Sequence, residues 1–450
     1  MPEQSQALTS GPILNHLIRL SIPASMGMIF NTLYNLTDFW FAGKWSDEAL
    51  AGVSIAGSVF FLLLAFGIGI QTGASAVIAP VAGKKYWPGV ADLVDHVVGL
   101  SLLLTAAVMI MGFFAVEPLV QFLGAEPHIE PLALEYVWIT LAGTVAFVLS
   151  FAAAGALMAL GDTKSNRNAL AIGFFANFLL NPALTFWLEL GVTGLALSTV
   201  IIKGLSAWYL FWILSKRLGR WTKPKFGFDK LTELCKQVVP ASMNMLTIIM
   251  GSFITVSYIG RFGSDNVAGY AVGLRLEQIL LLPALGLNSA VMGIAGQNFG
   301  AEKFSRVAQT YRKALLVGLF MAVISIPIMV FLSPSLMSFF SDSQTIINTG
   351  AQYLRIDAIA FYAYVVLFLS VAILQSLKQP MFPMFLGIAR QLVVPAIVNY
   401  FLIVVWGYPM ISVFYTIISV VVISAIVAHW YTLRQLKLLT ETTRSTVSVK

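Results

Sequence analysis

Twelve apolar segments, each at least as long as the roughly 20 residues that carry a helix across a bilayer core, fix the class of this chain before any single residue is considered. They cover approximately residues 16 to 42, 50 to 80, 93 to 117, 132 to 158, 168 to 188, 192 to 214, 237 to 260, 267 to 297, 314 to 333, 352 to 377, 382 to 406 and 409 to 433. Their apolar character is continuous, whereas a barrel strand alternates every second residue over about ten, so helices are predicted. A water-soluble chain would have about a quarter of its residues charged. Here 10% are charged and 58% hydrophobic, with a mean hydropathy of +0.85. Residues 1 to 12 carry no basic residue, and the first apolar run is too long for a signal core, so no cleavable signal peptide is expected. The single cysteine, Cys235, makes no internal bridge.

Lys and Arg resist translocation, so their distribution predicts which side each connection faces. With the N-terminus inside, twenty of the 27 basic residues fall in cytoplasmic loops or the tail, from Lys84 and Lys85 to Arg444 and Lys450. The opposite side holds Lys44, Arg261 and Arg355, while Arg19, Lys203, Arg275 and Arg390 lie within or at the ends of spans. Both termini are therefore expected in the cytoplasm, and the net charge of +7 reads as an orientation signal rather than a nucleic-acid patch. Seven of the twenty occupy the longest polar connection, Ser215 to Lys236. The predicted organisation is an N-terminal six-helix lobe over 1–214, a cytoplasmic linker over 215–236, a C-terminal six-helix lobe over 237–433 and a cytoplasmic tail over 434–450.

An offset of 217 lays the second half over the first: Pro23-Ala24-Ser25-Met26 meets Pro240-Ala241-Ser242-Met243, Gly69 meets Gly286, Gly83 meets Gly300 and Tyr136 meets Tyr353. Six spans separate the copies, so both begin on the same side and are parallel repeats, an architecture of secondary transporters that rock one lobe against the other. An ATP-driven pump is disfavoured because no G-x-x-x-x-G-K-[ST] loop occurs. The four histidines, His16, His96, His128 and His429, are scattered over separate segments, so no enzyme active site is expected.

Polar groups inside the spans carry the chemistry. Asp38 lies well within span one, where an ionised carboxylate costs on the order of 2.5 to 3.5 kcal/mol on insertion scales. Asn31, Asn35 and Asp38 recur at i, i+4 and i+7 with Tyr34 beside them, a stripe expected to face the interior of its lobe. The repeat places Ile248, Ser252 and Thr255 opposite them, so the carboxylate is supplied only once. Span five offers Asn177 and Asn181, again at i and i+4, followed by Pro182; span six offers Thr199 and, one turn on, Lys203. Isolated Asn is often interhelical glue, and Lys203 reads equally as a side chain stretched toward the cytoplasm. Arg275 and Glu277 point to different faces, and Asp357 is expected near water at the outer end of span ten.

These residues resemble the multidrug and toxic compound extrusion (MATE) transporters. The resemblance covers nearly the whole chain and implies an all-α integral membrane protein of twelve transmembrane helices in two pseudo-symmetric six-helix bundles around a central cavity. Its more specific part is Asp38 with Asn177, Asn181 and Thr199, the last following Gly191-Val192-x-Gly194. In the DinF-like branch these places form the cation-coupling site, with a second aspartate where Asn181 stands here. The acid that NorM-like members carry in span seven is absent. The resemblance implies an antiporter of the bacterial inner membrane, monomeric and without cofactor, that exports cationic or amphiphilic organic compounds. One carboxylate suffices for a proton, whereas two hold Na⁺ more tightly, so H⁺ is favoured and Na⁺ at Asp38, Asn177, Asn181 and Thr199 is the alternative. Asn31, Tyr34, Asn35, Tyr136 and Lys203 are the expected substrate-binding residues, and no other metal site is expected. Pro23 is a place where span one can bend. The competing reading is a lipid-linked precursor flippase of the same superfamily, supported by Lys203 and Arg275.

Overall fold

The computed structural model describes residues 8–448, with side chains as far as Glu441, and contains no strand among them. Arg444 and Lys450, counted above toward orientation, lie outside the described side chains. In lipid a backbone N–H finds no water, so each span satisfies its own peptide groups as a helix. The first half consists of α1 (Ile13–Trp45), α2 (Asp47–Gly83), α3 (Trp87–Phe122), α4 (Glu130–Ala142), α5 (Thr144–Ala159), α6 (Lys164–Pro182) and α7 (Gly191–Leu218). The second consists of α8 (Phe228–Ile259), α9 (Ser264–Gly300), α10 (Phe304–Phe331), α11 (Ser333–Ser338), α12 (Gln344–Asp357), α13 (Phe361–Ser376), α14 (Met381–Ile388), α15 (Val394–Asn399) and α16 (Ile411–Ser448). Among the described residues, eleven helical runs are long and apolar enough to cross a membrane, and α4 with α5 makes a twelfth.

The repeat is written into the helix ends. Helices α2 and α9 are each 37 residues long and start 217 apart (264 − 47); α5 and α13 are each 16 long and start at the same offset. Span four is not one straight helix as expected. It bends by 51° between α4 and α5 at Gly143. A Cβ on Gly143 would lie 2.4 Å from a methyl of Val200, so only glycine admits α7 this closely. Just before the bend, the Thr140 hydroxyl bonds back to the carbonyls of Tyr136 and Val137, a habit that bends helices. At the matching place in the second half, the 3₁₀ turn Ala358–Ala360 separates α12 from α13. Helix α16 continues without a break into the polar tail, to Ser448.

Contacts divide the chain into two units, one built from Met26–Met243 and the other from Leu8–Ser25 with 244–448. The start of α8 thus belongs with the first unit and the start of α1 with the second, an exchange that the expected boundary at the linker does not anticipate. The repeated glycines and serines explain how each unit accommodates its guest. In the first, a Cβ on Gly69 of α2 would fall 1.9 Å from Ser242 Oγ of α8. In the second, a Cβ on Gly286 of α9 would fall 2.1 Å from Ser25 Oγ of α1. Small residues let backbones approach where lipid provides no hydrophobic drive to hold helices together. The run Ala152-Ala153-Ala154-Gly155-Ala156 of α5 does the same against α2, with the Gln71 carbonyl oxygen 2.3 Å from where a Gly155 Cβ would sit.

Candidate cation-coupling site

Within the first unit, three helices converge on Asp38. After Asn181, α6 ends at Pro182 and gives way to a π-helical turn, Ala183–Trp187. Helix α7 starts beside that turn because Gly194 has no side chain; its Cβ would lie 2.7 Å from the carbonyl carbon of Leu184. One turn further along α7, Ser198 and Thr199 face the Asn177 and Asn181 pair.

Asp38 is 6% exposed, and Asn177 and Asn181 are fully buried. Both amides donate to the same carboxylate oxygen, Oδ1, at 2.8 Å each. The other oxygen, Oδ2, receives the Thr199 hydroxyl at 3.2 Å, and Thr199 in turn accepts the Tyr34 hydroxyl at 3.0 Å. The amides also bond each other at 3.2 and 3.4 Å, and Ser198 donates to Asn181 Oδ1. A lone buried carboxylate would be costly, and here three donors from two neighbouring helices offset its desolvation. Lys203 Nζ lies 5.3 Å from the Tyr34 ring centroid, on the same side of α7 as Thr199.

Of the residues singled out in the sequence, the structure therefore brings together Asp38, Tyr34, Asn177, Asn181 and Thr199, with Lys203 stacked on Tyr34. Asn31 and Asn35 are half-buried and make no hydrogen bond to the cluster. Tyr136 is buried against Leu195 and Ala196 of α7 and reaches the edge of the cluster, beside Thr199 and within electrostatic range of Asp38. Pro23 lies inside an unbroken α1, in the segment that belongs to the second unit. Ser198 was missed in the sequence, although its place directly before Thr199 on a helix facing two asparagines was a usable signal.

The second unit holds a carboxyl pair, one member of which, Asp357, was expected near water. Asp357, at the end of α12, is 1% exposed, and Glu277 of α9 is 3% exposed. Tyr353 donates to Glu277, and the Tyr364 hydroxyl donates to Asp357 Oδ1 at 3.4 Å, while Asp357 Oδ2 has no partner. Arg355 turns away to the Val330 carbonyl, and Arg275 is exposed. The break after Asp357 tucks the carboxylate inward, and a break at that point is invisible to hydropathy. No group of three or more His, Cys, Asp or Glu side chains able to hold a metal occurs among the described residues.

Comparison with known proteins gives a consistent picture. The MatE family model matches residues 23–183 and again 240–401, one match in each half. A probable multidrug resistance protein of Bacillus subtilis, YpnP, is 27% identical over 303 residues, 66% of this chain and 68% of its own length. A FAD transporter of Shewanella oneidensis is 25% identical over 396 residues, 85% of this chain and 86% of its own. Among solved structures, a MATE transporter in its bent conformation superimposes with a TM-score of 0.91 at 23% identity, covering 99% of this chain and all of its own.

Proposed function

The chain belongs to the MATE family, and from that premise we propose that it exports amphiphilic organic cations from the cytoplasm in exchange for protons taken up at Asp38. It is a multidrug efflux transporter and not an enzyme: what changes in its cycle is access, not covalent structure. The proposal places it in the bacterial inner membrane as a monomer with both termini cytoplasmic, and within the DinF-like branch.

The observation that carries proton coupling is the donor set of the carboxylate. Both amides present N–H groups to Oδ1, and an N–H repels a metal cation. Oδ2 keeps a single hydroxyl partner, which can rotate from donor to acceptor when a proton arrives. A Na⁺ ion would need both amides turned to offer oxygen, with one carboxylate to neutralise it, and this is the alternative. A proton on Asp38 removes the charge that the amides and Thr199 hold in place. The outer part of α1 is then free to repack on α6, with Pro23 as the bend. Protonation and an organic cation thus compete for the same carboxylate, which is the thermodynamic requirement of exchange. Glu277 and Asp357 form a second titratable centre for the same cycle.

The Lys203 ammonium over Tyr34 favours one further reading, in which the substrate is an aromatic anion of the kind named in the FAD transporter relative. Proteoliposomes decide among these. The expected result is uptake of a cationic dye into inside-out vesicles driven by an imposed pH gradient and not by a Na⁺ gradient. Drive by Na⁺ alone overturns proton coupling, and transport of a flavin nucleotide in place of the dye overturns the cationic substrate.

A further inference from the structure

Residues 219–227, the connection between α7 and α8 in the first unit, form no helix, yet they are fastened to α3 at several points. Asp95, 1% exposed, accepts the Arg220 guanidinium at 2.7 and 3.2 Å and the Lys223 backbone N–H at 3.0 Å. The Asp95 carbonyl accepts the Lys225 N–H at 3.1 Å, and the Lys225 ammonium lies 2.6 Å from Asp92. Gly99 leaves room for the strap: its Cβ would fall 2.0 Å from the Lys225 carbonyl oxygen. A segment held this way cannot fold its side chains inward, so what it exposes is fixed by construction.

What it exposes is aromatic and basic. Trp221 is 55% exposed, Phe226 54% and Phe228 81%. Lys223 is exposed, and the Lys216 ammonium, at the end of α7, sits 3.4 Å from the Trp212 ring centroid. Neither lysine has a carboxylate partner among the described residues, whereas Arg217, Arg220, Lys225 and Lys230 do. Depth completes the argument. Helix α3 begins at Trp87 and its apolar run at Leu93, so the fastening points Asp92, Asp95 and Gly99 bracket the level where water gives way to lipid. Aromatic rings and lysines at that level match the headgroup zone of a bilayer. Among the described residues, the corresponding stretch of the second unit offers nothing similar. Its residues Leu8, Thr9 and Gly11 carry no charge, and Asn298, Lys303 and Arg306 are engaged with their carbonyls.

We propose that the strap 219–227 with the flanking Lys216 and Phe228 is a binding surface for anionic phospholipid, the two lysines without a carboxylate partner taking the headgroup phosphates and Trp221, Phe226 and Phe228 seated at the acyl boundary. The placement on the inner leaflet rests on the proposed orientation; the binding itself does not. The test uses the delipidated full chain in detergent, titrated with phosphatidylglycerol or with phosphatidylcholine of the same acyl chains, reading bound lipid by native mass spectrometry and the Tm. The parent is expected to bind and be stabilised by phosphatidylglycerol in preference to phosphatidylcholine. Because a lysine near an anionic surface is attracted to it, K216Q/K223Q should weaken phosphatidylglycerol affinity on the order of tenfold or more, with the lipid-free Tm unchanged. K437Q, on an exposed pair with Glu441, should leave the preference intact. Equal binding of the two lipids by the parent, or an undiminished preference in K216Q/K223Q, overturns the proposal. An external label reaching the strap in intact cells would instead overturn the orientation and leave the lipid site standing.

Discussion

Asp38 is the residue on which the reading turns, and its surroundings make a clean substitution available. In Asp38→Asn the remaining carbonyl oxygen can keep both amide donors, and the new NH₂ can donate to Thr199, whose oxygen has a lone pair to spare beside the Tyr34 bond. The variant should therefore fold normally while gradient-driven export falls by more than about tenfold, a change of only 1.4 kcal/mol in the driving interaction. Thr255→Ala at the repeat-related position should be mild, since Thr255 bonds only to the Gly251 carbonyl of its own helix at 3.1 Å. Equal losses in the two variants would remove the carboxylate from the coupling step. Asn181→Asp is the complementary change: an oxygen would replace the nitrogen that now lies 2.8 Å from Asp38 Oδ1, and two carboxylates so close cannot both stay charged without a cation. That variant should gain Tm in NaCl relative to choline chloride, and the parent should not.

At the scale of the element, close approach at glycine is the recurring device, and substituting it is informative. Gly143→Val sets a branched side chain against Val200 and should cost about 1–3 kcal/mol, lowering the Tm with the 51° bend disturbed. Glycine at 69 and 286 was legible as a repeat, but its reason was not: the partners, Ser242 and Ser25, come from the helices that open the other half. The strap clasp adds a pH prediction. Asp95 beside Arg220 and Asp92 beside Lys225 push the pKa of both cations above their ordinary values. A raised basic pKa contributes stability that is complete below the ordinary value and lost only as the pH climbs through the folded one. The contribution of the clasp should therefore be flat from pH 6 to pH 9, measured as the Tm difference between the parent and Arg220→Gln, and should shrink with added salt.

For the whole molecule, the excess of basic residues on one side predicts that a cysteine replacing Lys223 is shielded from an impermeant thiol reagent in intact cells and reacts once the membrane is opened. Labelling in intact cells would invert the topology and with it the direction of export. Motion belongs to this scale too. A label pair on exposed Leu36 of α1 and Leu179 of α6, both in the first unit, should change its separation between pH 8 and pH 5, and Asp38→Asn should hold it at the acidic value. No change in the parent would leave Pro23 as a fixed feature of α1.

The sequence by itself determined the spans and the duplication. A bilayer of fixed thickness demands apolar runs of a fixed length, and a duplicated chain keeps its proline, serine and glycine signals at one offset. It also marked Asp38 as a carboxylate too costly to face lipid, and Asn177, Asn181 and Thr199 as polar groups within spans five and six. Only the tertiary structure decided which of them meet. Helical periodicity states the face on which a residue lies but not the helix opposite, and Asp38 and Asn177 are 139 residues apart. It also decided that Asp357 is buried beside Tyr364 rather than wet, because a turn of 3₁₀ helix redirects the chain without altering its hydropathy. Between helices in lipid there is no contrast of apolar and polar to read; packing is chosen by shape and hydrogen bonds, which exist only once the helices have come together.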